Sequence, residues 1–184
     1  YALDFSLEEL RQLRVFERRD QQGHQAFPRR FLQGHSRFEI PTLAEVVQLI
    51  QGLNHSTGKT VGLLIEIKSP AWHHQQGRDL SQKVLEVLDD LSVNDNNCPI
   101  ILESFDAPEV KRLRNELKVP FPLLQLLEKN SWQESEETDY EFLLTKEGLQ
   151  TLTEHVQGIA VWTCHVLEGR SLSGMPQLLS LIHI

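Results

Sequence analysis

The length, composition and charge of the chain exclude several classes of protein. Its 184 residues suffice for one sizeable domain with a core of its own. Aspartate and glutamate number 26 against 18 lysines and arginines, so the formal net charge is −8. We therefore expect neither a nucleic acid nor an anionic membrane as partner, because phosphates and acidic lipids repel a negative surface. No apolar run approaches the roughly 20 residues that span a bilayer.

The first residues and the cysteines give two more exclusions. The opening YALDFSLEEL lacks the features of a signal peptide. Cys98 and Cys164 are too few and too far apart to predict a disulfide framework or a zinc site. They leave the redox compartment open.

Five helices are predicted, each from a capping residue followed by apolar side chains at helical spacing. Two of the capping residues, a serine and a threonine, have a glutamate three positions later, which is the capping-box pattern. The capping residues are Ser6 (with Glu9), Thr42 (with Glu45), Asp79, Asp106 and Thr145.

Four strands are predicted between these helices, from short and continuous apolar runs. They are TVGLLIEI (60–67), CPIILESF (98–105), FPLLQLL (121–127) and GIAVWT (158–163). Continuous rather than alternating hydrophobicity is typical of strands buried on both faces, and so of a parallel sheet with helical crossovers. Residues 15–39 and the acidic stretch 128–143 are predicted as loops.

This order of elements fits either a doubly wound sheet or part of an eight-stranded barrel. A doubly wound nucleotide-binding domain would have a Gly-rich turn after an early strand, and the sequence has none. A complete barrel needs about 250 residues. We therefore predict an α/β fold in the form of an incomplete (β/α)8 barrel.

The end of the first predicted strand carries an unusual pair of charges. Glu66 and Lys68 are two residues apart and share one face of the strand, whereas Ile65 and Ile67 share the other. If the isoleucines face the helices, the charged pair points into the barrel near the carboxyl end of the strand, where the catalytic groups of such barrels lie. A carboxylate there can bind a hard cation, and an ammonium can hold a phosphate oxygen. A purely structural ion pair remains an equal alternative.

Several ordered blocks of the sequence resemble one enzyme family. The stretch GLNHSTGKTVGLLIEIKSPAWHHQQGRDL (52–80) closely resembles the bacterial periplasmic glycerophosphodiester phosphodiesterases. The resemblance covers residues 1 to about 168, in order and with similar spacing. The other matching blocks are YALDFSLEELRQL (1–13), IPTLAEVVQLIQG (40–52), LESFDAPEVKRLRNEL (102–117), PLLQLLEKNSW (122–132) and LTKEGLQTLTEHVQGIA (144–160).

The resemblance implies a (β/α)8 barrel that hydrolyses small glycerophosphodiesters to sn-glycerol 3-phosphate and an alcohol. It also implies a divalent cation, usually calcium, a periplasmic location, and a place in glycerol and phospholipid-headgroup catabolism. Two histidines of the family exchange protons with the attacking and leaving oxygens. Glu66 matches the third carboxylate ligand of the metal, and Lys68 matches the basic residue beside the phosphate.

The sequence also departs from the family pattern. The His-Arg-Gly, Glu-x-Asp and His-Asp elements of the family precede the segment that YALDFSLEEL resembles, and the signatures of its last strands are missing as well. We therefore expect residues 1–170 to form the middle of a barrel, without its first and last strands or either catalytic histidine, and to be inactive alone. Residues 171–184 match nothing in the family, and one hypothesis is that this tail ends in non-native sequence.

Three positions near the strand ends have more than one interpretation. Glu103 stands where the family favours Gln, and it either strengthens cation binding or weakens phosphate binding. Phe105 is either a core aromatic or a wall of the substrate pocket. Trp162, where the match is looser, is a further candidate for that wall.

The remaining candidates receive structural interpretations. His73 and His74 are assigned to a loop surface, because neighbouring residues on an extended segment point in opposite directions and no partner at metal-ligand spacing accompanies them. The arginines of the first loop, which are Arg18, Arg19, Arg29 and Arg30, are assigned to a solvated face.

Two other functions stay open beside the phosphodiesterase. Lys68 next to Glu66 permits Schiff-base chemistry of the aldolase kind. A non-catalytic binding or surface protein built on the same barrel is the other alternative.

Overall fold

The structure is a computed structural model that describes residues 1–27, 38–162 and 179–183, the last five and Trp162 as backbone only. The chain divides into two compact units, residues 1–46 and 47–184. None of the described helices combines the length and the hydropathy that a bilayer crossing requires.

The first unit contains little regular structure. A short 3-10 helix, Ala2–Asp4, precedes α1 (Leu7–Leu10). The predicted capping box is confirmed: the Glu9 amide donates to Ser6 Oγ, and Glu9 Oε2 accepts from the Ser6 amide at 2.7 Å. The helix is shorter than its apolar pattern suggested.

The first predicted loop, 15–39, is only partly described, because residues 28–37 lie outside the described ranges. An isolated antiparallel bridge joins Arg19 to Gln25. Arg19 also donates from Nη1 to the Gly23 carbonyl at 2.7 Å. Arg29 and Arg30 fall in the part that is not described.

The next helix, α2 (Leu43–Thr57), begins at the predicted Thr42–Glu45 capping box. The following elements alternate between strands and helices, as predicted. They are β1 (Leu63–Glu66), α3 (Pro70–Gln75), α4 (Leu80–Asp90), β2 (Ile100–Ser104), α5 (Ala107–Asn115), β3 (Leu123–Leu127), a 3-10 helix (Asn130–Trp132), α6 (Tyr140–Leu143), α7 (Lys146–Leu152), β4 (Gly158–Trp162) and β5 (Leu179–His183).

Three helix starts follow directly from side chains that satisfy free backbone amides. Asp79 accepts from the Gln82 amide at 2.9 Å. Asp106 accepts from the Glu109 amide at 2.9 Å, and Thr145 accepts from Gly148 at 3.1 Å. All three predicted caps are confirmed.

The strands form one sheet in the order β1-β2-β3-β4-β5, of which the first four are parallel. This confirms the prediction of parallel strands with helical crossovers. The core lies along these strands and beneath the helices, and its fully buried members include Leu102, Leu113, Leu124 and Leu126. Cys98, which lies just before β2, is a buried free thiol.

The fifth strand departs from the prediction. Residues 179–183 were assigned to an unmatched tail, yet they pair antiparallel with β4, with Gly158 opposite His183. The edge of a parallel sheet offers backbone groups to a strand of either direction, and apolar composition does not reveal direction. The assignment of 1–170 and 171–184 as separate parts stays a prediction.

Two predicted loops contain helices. Residues 128–143 include the 3-10 helix and α6. Residues 70–75 form α3, which Pro70 begins at a position where a missing amide costs nothing. His73 and His74 therefore lie on a helix and not on an extended segment, which corrects the geometry assumed for them.

Candidate functional site

The carboxyl ends of β1 and β2 bring two glutamates together. Glu66 is the last residue of β1 and lies directly opposite Glu103 in the register of the parallel pair. Both side chains lie on the face opposite Ile67, which is 1% exposed. Glu103 is 5% exposed, whereas the Glu66 side chain is 25% exposed. The two carboxylates therefore share one face, Glu103 buried and Glu66 partly exposed.

The backbone fixes the spacing of these two strand ends. The Ile67 amide donates to the Glu103 carbonyl at 2.8 Å, which extends the ladder one residue beyond β1. The Ser104 hydroxyl donates to the Ile67 carbonyl at 2.8 Å. Ser69 then takes a left-handed conformation, with φ of 46°, before α3 begins.

Lys68 lies beside Glu66, as the sequence predicted. Its Nζ is 3.0 Å from Glu66 Oε1, and its side chain is 65% exposed. The contact with Glu66 raises the pKa of Lys68, against a smaller opposite effect of partial burial. A Schiff-base lysine needs a lowered pKa so that a neutral amine can attack, and the direction found here does not favour that alternative.

Glu103 has an environment unlike that of an ordinary surface carboxylate. Burial and the negative charge of Glu66 raise its pKa to about 7, and Lys68 offsets part of this rise. Its Oε2 is buried and has no hydrogen-bond partner among the described residues. An orphaned buried carboxylate oxygen fits a cation ligand, and the donor set is the hard oxygen set that calcium and magnesium prefer.

Glu128 is a third carboxylate at this edge, and the sequence reasoning missed it. It directly follows β3 and is 1% exposed, and neither carboxylate oxygen has a hydrogen-bond partner within the described ranges. Burial raises its pKa. It had been placed at the start of a solvated loop, although a glutamate at the carboxyl end of a buried strand was the available signal.

Phe105 is held by the core. Its carbonyl accepts from Gln125 Nε2 at 3.0 Å and from the Tyr140 hydroxyl at 3.1 Å. Its ring meets the Tyr140 ring edge to face, at 6.3 Å between centroids. This packing fits the core interpretation, and the substrate-wall role stays a prediction. Trp162 ends β4, but its side chain lies outside the described part of the chain.

A second polar cluster joins α3, the start of α4 and the first turn of α5. His74, Asp79 and Glu109 place one ligand atom each within 4.8 Å of one another. His74 thus has partners at metal-ligand spacing, contrary to the expectation from sequence. Arg112 already lies between the carboxylates, with Nη1 2.7 Å from Glu109 Oε1 and Nη2 bound to Asp79. Because a guanidinium occupies the position of a cation, we interpret this cluster as an ion-pair network and not as a metal site.

Fold and site together define the class of protein. Parallel strands with helical crossovers, and charged side chains at their carboxyl ends, are the arrangement of a (β/α)8 barrel. Residues 1–175 match the family model of the Glycerophosphoryl diester phosphodiesterase family. The chain belongs to this family.

The curated proteins that are similar to the chain include two bacterial ones. A Glycerophosphodiester phosphodiesterase of Haemophilus influenzae is 37% identical over 146 residues, which is 76% of this chain and 40% of that protein. A protein of the same name from Treponema pallidum is 27% identical over 175 residues, 86% of this chain and 49% of its own length. The chain thus spans less than half the length of either relative.

Proposed function

We propose that the protein to which this chain belongs hydrolyses glycerophosphodiesters to sn-glycerol 3-phosphate and an alcohol. The main support is the Glu66–Lys68 pair, which lies at the carboxyl end of β1 in a member of this family. The names of the two curated relatives support the reaction class. The substrate is a small diester, and the resemblance seen in the sequence supports a periplasmic location and a role in phospholipid-headgroup catabolism.

Glu66 and Lys68 would bind different parts of the reacting complex. In this proposal Glu66 holds a divalent cation, calcium by the resemblance, which acts as a Lewis acid on the phosphoryl group when it is bound. Lys68 contacts a phosphate oxygen, and its exposed ammonium can reach one without leaving the strand end. Lys68, beside a cation held by Glu66, would therefore stabilise the negative charge that grows as the phosphodiester reacts.

The proton-transfer groups are not assigned to this stretch. The family's paired histidines belong to elements that do not occur within residues 1–184. We therefore propose that residues 1–184 by themselves do not turn over substrate. Glu66 alone is also a poor cage for a cation that takes about 6–8 oxygen ligands.

The proposal is tested by Glu66→Gln in the intact protein that carries this sequence. Losing a charged ligand should weaken cation binding and reduce glycerophosphocholine hydrolysis by several orders of magnitude. Glu86→Gln, on the exposed face of α4, is the matched control, since Glu86 forms an ordinary surface pair with Lys83. Near-normal turnover and cation affinity in Glu66→Gln would refute the assignment.

A further inference from the structure

We propose that Glu103 is a second carboxylate ligand of the divalent cation that Glu66 binds, and that it increases the affinity of this site for the cation. The inference rests on the proposed function, since it adds a ligand to the same site. The sequence left two interpretations of Glu103 open, stronger cation binding or weaker phosphate binding. The inference favours the first.

The register of the sheet is the first argument. Glu66 and Glu103 are opposite each other on neighbouring parallel strands, where strands lie about 4.8 Å apart. Two glutamate side chains on the same face at that spacing can each place one carboxylate oxygen about 2.3–2.6 Å from a shared calcium ion. The Ile67–Glu103 and Ser104–Ile67 hydrogen bonds hold the strand ends in this arrangement.

Burial without a partner is the second argument. Glu103 is 5% exposed, and its Oε2 has no hydrogen-bond partner in the described part of the chain. An unpaired buried carboxylate is costly, and a second carboxylate beside it adds repulsion. The neighbouring ammonium of Lys68 is itself 3.0 Å from Glu66 and mostly exposed, so it offsets only part of this cost. A divalent cation between the two carboxylates removes both penalties.

Glu109 shows that this fold satisfies a buried glutamate where it serves only structure. It is as buried as Glu103, but it is bound by Arg112 and by the Ser81 hydroxyl. At position 103, the described residues supply Oε2 with neither a guanidinium nor a hydroxyl, and the partner in this proposal is the cation.

The test uses the intact protein and the variant Glu103→Gln, which restores the residue favoured by the family. Calcium binding is measured by titration calorimetry, and terbium luminescence provides a second probe. We expect at least a tenfold loss of calcium affinity, and a smaller calcium-induced rise in melting temperature. Glu136→Gln, an exposed change in the loop after β3, should leave both unchanged.

Glu103→Asp, together with the Glu66→Gln variant described above, makes the outcome unambiguous. Glu103→Asp keeps the charge on a shorter side chain and should bind calcium with intermediate affinity, and it replaces Glu103→Gln if the latter does not fold. Unchanged or tighter calcium binding in Glu103→Gln, or in Glu103→Asp if that variant is used, would overturn the inference. If hydrolysis and cation binding survive Glu66→Gln, the role of Glu66 in the proposed function fails instead, whatever the calcium affinity of the position-103 variants.

Discussion

The side chain of Asn54 pairs with both backbone groups of Val61. Its Nδ2 donates to the Val61 carbonyl at 2.8 Å, and its Oδ1 accepts from the Val61 amide at 2.8 Å. The same Nδ2 donates to the Asn97 carbonyl at 2.9 Å. One buried amide therefore joins the end of α2 to the segments that lead into β1 and β2.

We expect Asn54→Ala to lower the free energy of unfolding by about 1–3 kcal/mol, because it leaves partly buried backbone groups of Val61 and Asn97 without their partner. Urea denaturation of the intact protein measures the change. His55→Ala, the exposed neighbour on α2, is the control and should lie within about 0.5 kcal/mol of wild type. Equal stability of the two variants would contradict the role assigned to Asn54.

Lys68→Met should separate phosphate binding from cation binding. Removing the ammonium should reduce kcat/KM for glycerophosphocholine about 100-fold or more, whereas calcium affinity should change little because Lys68 is not a ligand. Lys83→Met removes a similar lysine from the Lys83–Glu86 surface pair and should leave activity intact.

The same experiment addresses the alternative chemistry. An unchanged rate in Lys68→Met would return the Glu66–Lys68 pair to a structural role. Borohydride trapping of a carbonyl compound on wild type, lost in Lys68→Met, would instead support the Schiff-base alternative.

Arg112→Met should destabilise the fold by about 3 kcal/mol, since it leaves the buried Glu109 without its cation. The side chain of Arg112 is 23% exposed, so solvent screening places the effect at the lower end of the range for buried pairs. Lys111→Met, its exposed neighbour, should be nearly neutral. Adding Glu109→Gln to Arg112→Met should restore part of the lost stability, as measured by thermal denaturation. A double variant that is no more stable than Arg112→Met would argue against the network.

Two glycines on helices predict opposite responses to alanine. A Cβ at Gly148 in α7 would lie 2.1 Å from the Phe142 carbonyl oxygen, whereas a Cβ at Gly52 in α2 meets nothing within 4 Å. Gly148→Ala should therefore lower the melting temperature by several degrees. Gly52→Ala should stabilise by about 0.5–1 kcal/mol, because alanine loses less backbone entropy in a helix. A Gly148→Ala variant as stable as Gly52→Ala would show that the α6–α7 contact yields easily.

The parts of this molecule that the sequence predicted depend on neighbours along the chain. The Asp79, Asp106 and Thr145 caps act three residues ahead, and the alternation around Glu66 is a property of a single strand. These features are visible in a short window of residues. The family blocks then allowed Glu66 and Lys68 to be assigned roles, which remain proposals.

The features that the sequence did not predict depend on distant residues or on pairing direction. Asp79 and Arg112 are 33 positions apart, and their ion pair is formed only when α4 and α5 are packed. The apolar composition of β5 likewise does not reveal that the strand pairs antiparallel with β4. No local pattern encodes the ion pair or the pairing direction, whereas the position of Glu128 at the end of a predicted strand was a local signal for its burial.

The hydrogen bonds that tie Ile67 to Glu103 and Ser104 have a consequence for the entropy of binding. Because the main chain at both strand ends is already ordered, a ligand at Glu66 and Glu103 restricts only side-chain rotation. That restriction costs about 0.5–1.5 kcal/mol for each side chain, far less than ordering a mobile loop of several residues. The ordering of the backbone therefore takes little from the affinity of a ligand that binds at these two strand ends.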